Sequence, residues 1–113
     1  MEYDDFRNMS VWKKAFKMVI NIYESTKRFP AEEKFGMISD MRRAASSVIH
    51  NIAEGYGRYE QRDKARFYMI SRGSCYELIS QCLVAQELDF MKPHYSRRII
   101  EQNKGIIGEL NAL

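Results

Sequence analysis

The stretch "RRAASSVIHNIAEGYGR", residues 42–58, decides the fold. With Met41 in front of it, its apolar residues Met41, Ala45, Val48 and Ile52 step by i, i+4, i+7 and i+11. That is the spacing of one stripe on an α-helix and not the alternation of a strand. Ile38 and Ile49 flank the stripe on one side, Met37 and Ala44 on the other. Arg43, Ser47, His50 and Glu54 recur at the same spacing on the opposite face and are expected to meet water. The pattern predicts a helix over about 31–54, stopped by Gly55 as a C′ residue and turned by "GYGR".

Three more helices follow by working outward. Before this stretch, Ser10 is a candidate N-cap. Trp12, Ala15, Phe16, Val19, Ile22, Tyr23 and Thr26 gather around Val19 on a helical wheel, with Lys13, Lys14, Lys17, Asn21 and Glu24 opposite. This predicts an amphipathic helix over about 10–28, closed by "RFP", with Pro30 starting the next element. After the stretch, a helix is predicted over about 61–89. There Phe67, Ile70, Ser74, Leu78, Ala85 and Leu88 form one apolar or small face, and Tyr68, Cys75, Ile79, Cys82 and Leu83 a second. Together they exceed the roughly 100° stripe that a surface helix needs. Either the helix buries one face against a partner subunit, or it is sandwiched within its own bundle. A last helix over about 93–112 carries Tyr95, Ile99, Ile106, Leu110 and Leu113 at helical spacing. Gly105 and Gly108 each cost it about 1 kcal/mol of propensity. Short connections give an all-α fold, an antiparallel up-and-down four-helix bundle spanning residues 1–113 as one domain.

Composition sets the outer bounds. The chain has 113 residues, 45% of them hydrophobic, a net charge of +3 and a pI near 8.9, which permits a phosphate-bearing partner without demanding one. The acidic start "MEYDDF" lacks the basic and apolar regions of a signal peptide. No apolar run reaches the length of a membrane span, so no membrane partner is expected. Cys75 and Cys82 share the third helix, about 10 Å apart by helical rise, too far for a disulfide. They read as buried thiols of a cytoplasmic protein.

Enzyme chemistry finds little support. His50 and Glu54 stand at i, i+4 and have the spacing of an acid–base pair, but also of an exposed ion pair. His94 is isolated, and Asp4 and Asp5 are adjacent acids near a terminus. There is no phosphate-cradling G-x-x-x-x-G-K-[ST] loop, no H-E-x-x-H and no G-x-S-x-G. The expectation is a protein that is not an enzyme, with no catalytic residue, metal, cofactor or small-molecule substrate.

Charge is distributed more informatively. From Arg42 to Arg72 there are seven Lys and Arg residues against three Asp and Glu, a local surplus of +4 that exceeds the whole chain's +3. Tyr56 and Tyr59 lie among the arginines, and aromatic rings beside arginine can stack on unpaired bases. The candidate nucleic-acid contacts are Arg43, Arg58, Arg62, Lys64 and Arg66, with Lys13, Lys14 and Lys17 a weaker second patch. The alternative is an ordinary solvated turn. The candidate oligomer contacts are Phe67, Leu78, Ile79 and Leu83. In a ring of subunits, the margins holding Arg42, Asn51 and Glu77 become seams, where an Arg42–Glu77 pair is possible; otherwise these residues are exposed and unpaired. Gly73 and Ser74 suit close helix approach.

These residues also carry a resemblance. "IYESTKRFP", "EEKFGM", "RRAASS", "NIAEG" and, in the third helix, "FYMISRGSCYE" occur in the order seen in the four-helix bundle proteins encoded in 23S rRNA intervening sequences. The likeness runs from Met9 to Leu88. The same family includes accessory variability proteins of diversity-generating retroelements, which work with a reverse transcriptase and its RNA. The resemblance implies a non-enzymatic bundle that assembles into a five-fold ring, a homopentamer, with RNA or a reverse transcriptase as partner. One departure stands out: where such proteins commonly carry a proline before "NIAEG", this chain has Ile49. That predicts a second helix without a proline kink.

Overall fold

The computed structural model describes residues 5–113; Asp4 lies outside them. A 3₁₀ turn at Phe6–Asn8 leads into four long helices: α1 (Ser10–Thr26), α2 (Met37–Tyr56), α3 (Gln61–Glu87) and α4 (Pro93–Asn111). A second 3₁₀ turn, Ala31–Glu33, lies between α1 and α2. Each helix packs on two neighbours in the closed cycle α1–α2–α3–α4, which is the up-and-down four-helix bundle.

α2 buries the stripe expected of it. Met41, Ala45, Val48 and Ile52 are fully enclosed, with Ala44 and Ile49 beside them, and the helix runs uninterrupted through Ile49. Its ends differ from expectation. Residues 31–36 are not part of it: Pro30 caps the 3₁₀ turn instead, and α2 begins after Gly36, where the Glu33 carboxylate accepts from the Met37 N–H at 3.3 Å. Gly55 does not stop the helix. It is buried within the last turn, and Gly57 is the C-cap in ordinary right-handed geometry. Gly55 is needed for packing instead, because a Cβ there would come within 2.6 Å of the Tyr68 ring on α3.

Small residues let α2 and α3 approach closely, and hydroxyls staple the seam. Ser47 and Ser74 share a hydrogen bond of 2.7 Å, and Ser71 donates to the Val48 carbonyl at 2.8 Å. The inner line of α3 is Ser71, Ser74, Cys75, Leu78, Cys82 and Ala85, which runs between the two faces expected from the sequence and takes residues from both. The outer residues of those faces, Ile70, Leu83 and Leu88, remain exposed.

α1 is rolled by about 60° from the wheel centred on Val19. Its buried line is Val11, Ala15, Met18, Ile22 and Thr26, while Phe16 is 48% exposed. The aromatic residues that drew the wheel sideways pack along the flank: Trp12 stacks with Phe16 at 5.3 Å and meets Phe6 at 5.4 Å. Ser10 is the first helical residue rather than the N-cap, which is Met9, and Lys14 one turn on pairs with Glu109 of α4 at 2.6 Å.

The α3–α4 connection is a Schellman turn. The Phe90 N–H donates to the Ala85 carbonyl at 2.9 Å and the Asp89 N–H to the Gln86 carbonyl at 3.1 Å. Asp89, with φ of 63°, takes the left-handed position usually given to glycine. Pro93 opens α4 in the first turn, where a missing N–H costs nothing. α4 buries Ile99, Ile106 and Leu110 as expected, together with Ser96, Asn103 and Ile107. The enclosed Asn103 amide donates to the Ile99 carbonyl at 2.9 Å. Cys75 and Cys82 are free and buried, and burial pushes both thiols up to about 12. Among the described residues, no helix is long and apolar enough to cross a membrane.

Candidate nucleic-acid interface

The turn from α2 into α3, with the first turns of α3, forms one end of the bundle. The candidate cations fall into two groups, of which Arg43, in the second turn of α2, lies about 20 Å along that helix from this end. Arg43, Arg58 and Lys64 are held by partners within the chain. Arg43 reaches across to Glu77 on α3 at 2.8 Å, and Arg58 pairs with Glu54 one turn back at 2.7 Å. Lys64 donates from Nζ to the carbonyls of Tyr56 at 2.9 Å and Gly55 at 3.2 Å. It thereby caps the C-terminal end of α2, where the helix dipole favours a cation.

Arg62 and Arg66 form the second group. Both are exposed, and neither makes an ion pair among the described residues. They lie one turn apart on the outer side of α3 and, with Ala65, Met69 and Ile70, border a shallow apolar groove. Arg66 and Arg58 both place their guanidinium carbons about the Phe67 ring, at 5.1 and 4.7 Å from its centroid. Tyr59, in the turn itself, is 98% exposed. The arrangement offers guanidinium groups to phosphate oxygens and a free aromatic face to a base.

One further pair continues this stripe: Arg72 lies 5.3 Å from the Tyr76 ring centroid. Its signal in the sequence is an arginine followed four residues later by an aromatic, a spacing that brings two side chains together on a helix. Of the weaker patch, Lys14 is committed to Glu109, whereas Lys13 and Lys17 are exposed.

The residues expected at an oligomer contact separate in the same way. Leu83 is 55% exposed on the outer side of α3. Phe67 and Ile79 are half-buried at its edge. Leu78 is a correction: it is fully enclosed by the bundle and has no surface to offer a partner. The expected Arg42–Glu77 alternative is replaced too. Glu77 pairs with Arg43, while Arg42 donates from Nε to the Thr26 hydroxyl at 2.9 Å and lies 4.6 Å from the Tyr23 ring centroid. Asn51 donates to the Ser47 carbonyl at 2.8 Å. The Glu54 carboxylate is engaged by Arg58 rather than by His50. Asp5 is held by Arg7, whose contact keeps its carboxyl below the usual range. No group of three His, Cys, Asp or Glu residues among the described residues is placed to hold a metal.

The family model for the 23S rRNA-intervening sequence protein matches residues 7–112. The chain belongs to that family. The match spans all four helices, including the basic end and the α3 stripe. A similar solved structure is the 1.70 Å crystal structure of a protein of unknown function from the S23 ribosomal protein family of Bacteroides thetaiotaomicron. It superposes with a TM-score of 0.81 at 16% identity, over 90% of this chain and 95% of that one. At that identity the likeness is one of fold. No curated protein matches the sequence significantly.

Proposed function

We propose that this family member is a non-enzymatic, homo-oligomeric protein of the cytoplasm that binds structured RNA or a nucleoprotein through the α2–α3 end of its bundle. The observation that carries this reading is that Arg62 and Arg66, exposed and without ion pairs among the described residues, follow within two turns of α3 the exposed Tyr59 of the α2–α3 turn. One such patch is weak. Repetition around an oligomer multiplies it, because the second contact of a bound RNA forms at high effective concentration. The resemblance implies five subunits, and a reverse transcriptase with its RNA is the nucleoprotein partner it suggests.

The outer face of α3 is the surface proposed for self-assembly. Met69 is 70% exposed, and Leu83, Val84 and Leu88 follow it along the helix. The same face supports a second reading, a protein scaffold without nucleic acid. Salt separates the two. Each phosphate contact contributes a slope of about −0.7 to −0.9 in log K against log salt, whereas an apolar protein interface responds weakly.

The experiment is binding of nuclease-treated protein to a structured RNA across a salt series, with mass by light scattering in the same buffers. The Arg62→Gln/Arg66→Gln variant is expected to keep its helicity and mass and to bind RNA with a shallower salt slope. Unchanged RNA binding would remove these arginines from the interface. A variant that fell to a smaller mass would place them in the subunit contact instead.

A further inference from the structure

At the opposite end of the bundle, the last turn of α1 and the first turns of α4 diverge and leave a cleft. One cavity of about 260 Å³ has Asn21, Glu24, Ser25, Arg28, Tyr95 and Arg98 in its wall. A second, of about 450 Å³, shares Ser25, Arg28 and Tyr95 and extends to Phe90, Asp89 and Lys92. The combined space falls within the roughly 300–1,000 Å³ common for small-molecule sites.

The charge in this cleft is unbalanced. Arg28, Lys92 and Arg98 make no ion pair among the described residues. Three cations thus face two carboxylates, Asp89 and Glu24, and Glu24 is shared with Lys27 at 3.3 Å. The Tyr95 hydroxyl registers the imbalance. Arg28 above all, then Lys92 and Arg98, holds the phenol below its usual pKa. Arg28 lies 5.1 Å from the Tyr95 ring centroid. Asn21 and Arg98 line the first cavity and Lys92 the second, with Arg28, Ser25 and Tyr95 common to both, so two guanidinium forks, one ammonium, two hydroxyls and an amide border the adjoining spaces. That number of donors exceeds what a single carboxylate uses and suits a multiply charged oxyanion. The Phe90 and Tyr95 rings in the wall add apolar surface beside it.

We propose that this α1–α4 cleft is a nucleotide site, in which Arg28, Arg98 and Lys92 bind the phosphate and the wall between Tyr95 and Phe90 takes the nucleoside. The phosphate belongs either to a free mononucleotide or to the 5′ end of an RNA. The site lies the length of the bundle away from Arg62 and Arg66 and does not rest on the function proposed for them.

The test is titration of the full chain with adenosine 5′-monophosphate, adenosine, and a short RNA with and without its 5′ phosphate, followed by amide chemical shifts and calorimetry. The monophosphate is expected to shift amides around Ser25, Asp89 and Tyr95, and adenosine to shift none. Arg98→Gln, which leaves the Arg28–Tyr95 contact in place, should weaken the monophosphate by about tenfold or more, as for loss of a charge-assisted hydrogen bond. Asp89→Asn keeps a residue that tolerates the left-handed turn and removes an opposing charge; it should tighten binding. A 5′-phosphorylated RNA that binds as well as the monophosphate assigns the site to RNA ends, and one that does not assigns it to the free nucleotide. Absence of shifts in the cleft at about millimolar monophosphate, or binding indifferent to Arg98→Gln, overturns the proposal. Arg62→Gln/Arg66→Gln should leave monophosphate binding unchanged, so the two sites fail or hold separately.

Discussion

A single methyl group at Gly55 sets helix propensity against tertiary packing. Gly55 is a helical residue, and alanine in place of glycine inside a helix stabilises by about 1 kcal/mol. Here the new Cβ would lie 2.6 Å from Cε1 and 3.0 Å from Cδ1 of Tyr68, far inside the roughly 3.5–4.0 Å of favourable carbon contact. Relief requires α2 to move off α3, or the half-buried Tyr68 ring to leave its seat. Overpacking of this kind costs about 1–3 kcal/mol. Packing therefore outweighs propensity, and Gly55→Ala is expected to destabilise by about 1–2 kcal/mol, lowering the Tm by about 5–10 °C. Gly105→Ala is the matched control: its Cβ meets nothing within 4 Å, so the propensity gain of up to about 1 kcal/mol should appear with the opposite sign. In a Tyr68→Ala background the clash is gone, and Gly55→Ala should become stabilising, a coupling of about 1–3 kcal/mol. Thermal and urea unfolding followed by circular dichroism, at one protein concentration, measures all five proteins: the parent, the three single variants and the double variant. Gly55→Ala as stable as the parent, or equally harmful with and without Tyr68, would refute the reasoning.

Lys64→Met should lower stability by about 1 kcal/mol through loss of the α2 cap while leaving the salt slope of RNA binding unchanged, since its ammonium is already held by the Gly55 and Tyr56 carbonyls. Arg42→Met should cost about 1–2 kcal/mol in urea unfolding, because Arg42 joins α2 to the end of α1 through the buried Thr26 hydroxyl. Cys75 and Cys82 should resist a thiol reagent at pH 8 in the folded protein and react at once in urea. The core holds both thiols neutral, so their contribution to stability is complete below their ordinary value of 9.0 and is lost as pH rises toward about 12. Unfolding free energy measured across that range should fall.

Much of the fold was legible because helical periodicity is a local property. The Met41–Ala45–Val48–Ile52 stripe is enclosed as read, and α3 and α4 begin at the residue expected, α1 within one residue of it. α1 was misread in rotation because hydrophobicity does not distinguish an enclosed Met18 from a Phe16 lying along the flank. Gly55 was misread because glycine serves both a helix stop and a close contact, and only the position of Tyr68 tells them apart. Around the candidate interface the sequence grouped cations along the chain but not in space, and it did not show their partners. Arg43 and Lys64 are as basic as Arg62 in the chain. They differ only in what the neighbouring helix presents to them.

By itself the sequence determined the four helices, their order and the basic bias of the α2–α3 end, since spacing and charge are read along one chain. Which leucine lies inside, which arginine has no carboxylate to meet, and that Arg28 and Arg98 converge on Tyr95 were decided by tertiary structure. Those are relations between residues as far apart as 28 and 98, and they arise only when antiparallel packing brings the ends of α1 and α4 together.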